Sequence, residues 1–355
     1  MSLNDLEMKN PKISLLDCTL RDGGHALEEM SSRGLGNEFF NDVRKKSIVN
    51  NLIKSNVETI ELGSIADGEI SQSEFCVYKG VQELSESYKK FIKDYGNKFA
   101  LIYRDPHIYK LNVPDWEEGL PKIARVIMRY FDLDKSYDFC KLLTKKGYKV
   151  FIQPMATVQY SDSELVNLTR LANEISAGAL YIVDTYGAML PFDIRRIFNL
   201  YDKYLEPNIK VGLHAHDNLN LAYSNTLDFI SIDSNRSKIL DSTLYGMGLG
   251  AGNCRTELIG LHLNKTRGSR YIIEELLSGC EIIESIRGED QSWGVGLSNT
   301  LPALENVATK YVHTLRYEYM MKYKDIYKVI KDIPKGIRQQ YSKENMSVVL
   351  ELINK

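Results

Sequence analysis

The sequence predicts a closed TIM (β/α)8 barrel followed by a helical C-terminal region. Three observations predict it: eight short apolar β-rich runs, amphipathic stretches between them, and polar clusters just past the first, seventh and eighth runs. The runs are Ile13–Cys18, Val57–Leu62, Phe99–Tyr103, Arg125–Tyr130, Lys149–Pro154, Leu180–Asp184, Lys210–His214 and Ile239–Leu244. Most are nearly continuous in apolar residues, as strands buried on both faces must be. Helical patterns at Val43–Ser55, Ser136–Lys146, Glu164–Ile175, Pro191–Tyr204 and Leu219–Ile230 alternate with them. Ser161 and Glu164 have the spacing of a capping box, and Pro191 suits a first helical turn. Regular alternation of this kind favours a barrel over its alternative, an open doubly wound sheet.

Beyond about Thr266 the texture changes. Tyr271–Ile286 and Leu301–Tyr311 read as helices, with polar Gly288–Ser292 between them. Tyr317–Ile333 is rich in Lys and Tyr, and Asn345–Ile353 reads as a last short helix. The expected division is a barrel over 1–266 and a helical region over 267–355.

Bulk composition bounds the function. The 355 residues carry a net charge of −2, are 43% hydrophobic and 26% charged, and lack any apolar run approaching the ~20 residues that span a bilayer. Neither nucleic acid nor a membrane is expected as a partner. The polar start Met1-Ser2-Leu3-Asn4-Asp5 does not resemble a signal peptide, so a cytoplasmic location is the expectation. Five scattered cysteines without a CxxC argue for reduced thiols.

The chemistry lies in three stretches: Thr19-Leu20-Arg21-Asp22-Gly23-Gly24-His25, His214-Ala215-His216-Asp217-Asn218, and Gly248-Leu249-Gly250-Ala251-Gly252-Asn253. In a barrel the strand C-termini form the active face, and strands one, seven and eight are neighbours once the sheet closes. Alternate strand residues share a side, so His214 and His216 can converge on one point. With Asp22, and with the Asn253 amide oxygen as a further candidate, they form a mixed N/O donor set with open positions. That set suits Mn²⁺ or Mg²⁺, with Co²⁺ or Zn²⁺ also admissible. Arg21 can hold a carboxylate or a developing enolate. His25, after a flexible Gly-Gly, can take a proton from a substrate hydroxyl. Gly250 and Gly252 permit close approach of backbone to substrate. Glu257 orients either Asn253 or the loop, or else caps a helix. Cys254 is read as structural because nothing places a base beside it. His107, His262 and His313 are also read as structural.

These stretches resemble the DRE-TIM metallolyase superfamily, and most of all its 4-hydroxy-2-oxovalerate aldolases. Glu61 and Asp184-Thr185-Tyr186-Gly187-Ala188-Met189 also fit, and the resemblance covers about residues 11–265. It implies Asp22, His214, His216 and Asn253 around a divalent metal, with Thr185 contributing to the substrate site. Arg21 would stabilise a metal-bound pyruvate enolate. His25 would act as base in cleaving or forming a 4-hydroxy-2-oxoacid from pyruvate and an aldehyde. Acyl-CoA-dependent Claisen synthases and lyases of the superfamily usually carry Gln where this chain has His25, which makes that chemistry the alternative. The segment Leu62-Gly63-Ser64-Ile65-Ala66-Asp67-Gly68 departs from the aldolase pattern, and Trp293 lies near the position of a family tyrosine. The aldolases pair with an aldehyde dehydrogenase through their C-terminal region. That region diverges here, so such a partner is left open, as is a homo-oligomer.

Overall fold

The computed structural model describes residues 12–34, 39–66, 71–105, 113–287, 293–294 and 296–353. Eight parallel strands form the barrel: β1 (Ile13–Asp17), β2 (Thr59–Ile65), β3 (Phe99–Tyr103), β4 (Ile123–Met128), β5 (Lys149–Pro154), β6 (Ala179–Asp184), β7 (Lys210–Ala215) and β8 (Lys238–Ser242). Each pairs with the next in sequence. Closure comes from β1, which pairs with β8 from Ile13–Lys238 to Asp17–Ser242 and with β2 at Leu16–Thr59 and Asp17–Ile60. The open sheet is thereby excluded. A two-residue strand, Val77–Tyr78, lies outside the barrel along the end of β2.

Around the strands run α1 (Thr19–Ser32), α2 (Asp42–Lys54), α3 (Leu133–Lys145), α4 (Asp162–Glu174), α5 (Pro191–Tyr204), α6 (Ala222–Ser231) and α7 (Thr256–Arg267). Local sequence explains their starts. Asn41 caps α2, Ser161 and Glu164 complete a capping box on α4, and Pro191 opens α5. The strand and helix bounds differ from the sequence reading mostly by one to three residues, because backbone pairing rather than apolar content sets where a strand ends.

One difference matters for chemistry. Gly23-Gly24 is not a flexible connection but part of the first turns of α1. A Cβ at Gly24 would collide with the Phe75 carbonyl oxygen, and one at Gly23 would sit 2.5 Å from Met247 Sδ. The glycines therefore let α1 settle against its neighbours, which fixes Arg21, Asp22 and His25 on one rigid element.

The barrel interior is filled by Leu16, Cys18, Ala100, Ile123, Phe151, Ala179, Tyr181, Val183 and Ile239. In the C-terminal region, α8 (Ile273–Arg287) joins the outer barrel core through Leu276, Cys280, Ile283 and Ile286. There follow α9 (Leu297–Glu305), α10 (Thr309–His313) with a π turn at Thr314–Glu318, α11 (Tyr323–Lys331) and α12 (Lys343–Ile353). The single helix expected over Leu301–Tyr311 is instead two, because Asn306 turns left-handed at φ +52°. Tyr311, Leu315, Ile326 and Ile330 make a second core with Ala156 and Tyr186, just beyond β5 and β6. Gly288–Ser292 and His107 lie outside the described residues. No described helix is long and apolar enough to cross a membrane.

Candidate active site

Asp22 stands in the first turn of α1, His214 on β7 and His216 just past it, and all three are buried. Their donor atoms lie within 4.8 Å of one another. The two Nε2 atoms are 3.2 Å apart, and His216 Nε2 is 3.8 Å from Asp22 Oδ2. Each ring is held from behind. His214 Nδ1 meets Asp241 Oδ2 at 3.0 Å, and His216 Nδ1 meets the Leu249 carbonyl at 3.2 Å. Those contacts turn both Nε2 atoms toward the shared point, as imidazole ligands require. Asn253 bridges to His216 in the backbone, and its Nδ2 donates to Asp22. Its Oδ1 is buried with no hydrogen-bond partner among the described residues. An orphaned amide oxygen beside two converged imidazoles and a carboxylate fits a divalent cation with mixed N/O ligation.

A row of charges backs this cluster. Arg21 Nε donates to Glu61 at 2.8 Å, and Arg21 Nη1 pairs with Asp22. The same Glu61 oxygen meets Arg125 Nη1 at 2.9 Å, and Arg125 Nη2 pairs with Asp241. Arg125 is 1% exposed and lies 4.8 Å from the Tyr181 ring centre. One buried guanidinium thus links the carboxylate holding Arg21 to the carboxylate holding His214. Burial alone would raise the Asp22 carboxyl, but Arg21 and the histidines hold it well below the usual range. Burial likewise opposes ionisation of Asp241, and Arg125 outweighs it. Burial lowers His216 to about 4, and burial with the Arg104 charge lowers His25 to about 4. Both rings are therefore neutral at neutral pH, as a ligand and a base need to be.

The remaining expected site residues fall as follows. His25 is half-buried on α1, three residues after Asp22. The Thr185 hydroxyl accepts the Ala156 N–H at 2.8 Å, joining the exits of β5 and β6. Gly250 (φ +66°) and Gly252 (φ +90°) are left-handed, and a Cβ at Gly252 would collide with the Gly246 carbonyl. Asn218 accepts the Ala251 N–H at 3.1 Å and so secures the same loop. Glu257 accepts the Tyr245 N–H at 3.1 Å, which selects the loop over Asn253 as what it orients. Cys254 is buried, which pushes its thiol up to about 12. His313 is not isolated: Glu29, Arg33 and Asn299 surround it.

The sequence reading missed Arg125 and Asp241 as site residues. The signal was present as opposite charges set inside apolar buried strands. Gly248, read only as part of the glycine-rich loop, has a specific reason: a Cβ there would collide with Asn253 Nδ2 and come within 2.6 Å of Asp22 Oδ2.

The HMGL-like family profile matches residues 130–284. The chain is 30% identical over 251 residues to a 4-hydroxy-2-oxovalerate aldolase of Thermomicrobium roseum, covering 70% of this chain and 66% of that protein. The chain carries an HMGL-like domain over residues 130–284. A 4-hydroxy-2-oxovalerate aldolase of Pelotomaculum thermopropionicum is 26% identical over 288 residues, covering 78% of this chain and 80% of its own. The carboxyl transferase domain of Rhizobium etli pyruvate carboxylase, solved with pyruvate and biocytin, shares the fold. It superposes with a TM-score of 0.69 at 12% identity, over 98% of this chain and 61% of that one. That domain and the aldolase relatives make this chain an enzyme of the carbon–carbon lyase class.

Proposed function

We propose that the protein is a divalent-metal-dependent aldolase that cleaves, or forms, a 4-hydroxy-2-oxoacid from pyruvate and an aldehyde. The observation that carries this reading is the convergence of Asp22, His214 and His216 with Arg21 and a neutral His25 on the same helix as Asp22. The names of the aldolase relatives support it. Asp22, His214, His216 and the Asn253 oxygen would hold the cation, with Mn²⁺ the first choice and Mg²⁺ or Co²⁺ alternatives. A bound cation would supply positive charge toward the 2-oxo group of the substrate.

In the cleavage direction His25 takes the proton of the C4 hydroxyl. The C4–O bond becomes a carbonyl as the C3–C4 bond breaks. The released electron pair passes to the enolate of pyruvate, whose oxygen Arg21 would meet; a proton from solvent then adds at C3 to complete pyruvate, and His25 returns the proton it took to solvent. Arg21 suits this role because Glu61 and Asp22 hold its guanidinium in place before substrate arrives. Thr185, Gly250 and Gly252 are assigned to the walls of the substrate site. The division into a barrel of 1–266 and a region of 267–355 belongs to the same proposal, with the barrel carrying the chemistry.

The test is pyruvate release from a series of 4-hydroxy-2-oxoacids by metal-free protein, before and after Mn²⁺ addition. Release that requires the metal supports the proposal. A protein that binds Mn²⁺ yet releases pyruvate from none of them refutes it.

A further inference from the structure

The metal-side half of the barrel mouth is accounted for by β1, β7 and β8. The opposite half, over β3 to β6, is built from different groups. Along β3 the positions Ala100 and Ile102 share a strand face with Arg104, and Ala100 belongs to the barrel interior. Along β4 the same alternation runs from Ile123 and Arg125 through Ile127 to Arg129. On β5 it runs from Phe151 to Gln153, and on β6 from Tyr181 and Val183 to Thr185. The inward register thus changes from aliphatic Ile102 and Ile127 to a polar ring at the mouth.

Each guanidinium in that ring is matched. Arg104 Nη1 meets Glu28 at 2.8 Å, one turn beyond His25 on α1, and Arg129 Nη1 meets Asp105 at 2.6 Å. All four side chains remain partly exposed, between 19% and 32%. Among the described residues the two pairs cancel in charge. The mouth offers both donors and acceptors. Gln153 adds a separate observation: it is 3% exposed, and its amide Nε2 has no hydrogen-bond partner among the described residues. A buried donor left open at the mouth points to an acceptor brought by a ligand.

We infer that the electrophile accepted at this mouth is a neutral, hydroxyl-bearing aldehyde, recognised by Gln153, Thr185 and the Arg104–Glu28 and Arg129–Asp105 pairs. The inference rests on the aldolase reading above. Hydroxyl groups both donate and accept, so they satisfy matched ion pairs without upsetting their charge balance. A plain aliphatic aldehyde covers the same groups without replacing their hydrogen bonds, and sites built to bond hydroxyls discriminate strongly against analogues lacking them. A carboxylated aldehyde meets two cations already neutralised.

The experiment runs the enzyme in the condensation direction with pyruvate and Mn²⁺. It compares kcat/KM for glyceraldehyde against propanal, erythrose against butanal, and glyoxylate and succinic semialdehyde as anionic probes. Hydroxylated aldehydes are expected to lead their aliphatic counterparts by about tenfold or more. Gln153→Leu and Arg104→Met are expected to shrink that ratio several-fold; being internal to each variant, the ratio does not depend on how much protein folds. A ratio at or below one, a preference for the anionic probes, or a ratio that both variants leave untouched overturns the inference. Deuterium exchange into the pyruvate methyl group, with no aldehyde present, separates the two levels. Exchange with the wrong aldehyde preference overturns this inference alone. Absence of exchange in Mn²⁺-loaded protein overturns the aldolase reading, and this inference with it.

Discussion

His25 and Arg125 show how much of the chemistry is decided residue by residue. His25 is legible in the sequence because it follows an Arg-Asp pair at short spacing, but its protonation is not. A free imidazole titrates near 6.5, whereas burial and Arg104 hold this one at about 4. The acid limb of kcat/KM is therefore expected below the ordinary imidazole range, with activity level from about pH 8 to pH 6; a half-maximal point near 6.5 would contradict it. Stability follows the same shift. The folded ring resists a proton that the unfolded ring accepts, so His25 costs stability as pH falls from 6.5 toward 4. His25→Asn should accordingly lose less stability than the wild type over that window, as read by urea unfolding. His25→Ala is expected to lower turnover by about 10²- to 10⁴-fold while Mn²⁺ affinity, read by titration of the metal's magnetic resonance signal, changes little. Arg125 was hidden because its function depends on two partners from other strands, Glu61 and Asp241. Arg125→Met leaves buried Glu61 with Arg21 alone and buried Asp241 with His214 alone, and we expect a loss of about 3–5 kcal/mol. Arg125→Lys should recover part of the stability. It should still bind Mn²⁺ about tenfold or more weakly, because Asp241 then loses the grip that sets the His214 ring.

Among the elements, α1 and the loop after β8 do most of the positioning. Most element types followed from local pattern: the capping box on α4 and Pro191 on α5 are signals carried within a few residues. The start of α1 was not legible, because two adjacent glycines normally weaken a helix. What overrides that preference is a close approach to Phe75 and Met247 that only tertiary contact reveals. Gly248 is the corresponding case in the loop. Gly248→Ala is expected to push Asn253 and Asp22 apart and to reduce Mn²⁺ affinity by about tenfold or more. The thermal midpoint of the metal-free protein should move far less, because the barrel strands are untouched. A variant that binds Mn²⁺ normally would show that the loop yields instead.

At the scale of the molecule, α9 and α10 join segments that carry the site. Asn218, two residues past His216, donates to the Asn299 carbonyl at 3.1 Å. His313 reaches Glu29 at 3.4 Å on α1 and Asn299 at 3.2 Å. The C-terminal region thus clamps the element bearing Asp22 to the one bearing His216. Because Asp22, His214 and His216 come from elements that pack together only in the folded chain, metal binding at the proposed site should stabilise the whole. Mn²⁺ at a hundred times its dissociation constant is expected to add about 2.7 kcal/mol, a rise of a few degrees in thermal midpoint. A chelator should reverse it, and a midpoint indifferent to both would count against the site. By itself the sequence determined the barrel class, the order of its strands and the convergence of Asp22, His214 and His216. Those follow from apolar runs, alternation and spacing, which are local properties of the chain. Tertiary structure alone decided the helical start of α1, the buried Arg125 bridge, the neutral His25 and the polar far side of the mouth. Each depends on which distant residues share a low-dielectric interior, and no local pattern encodes that.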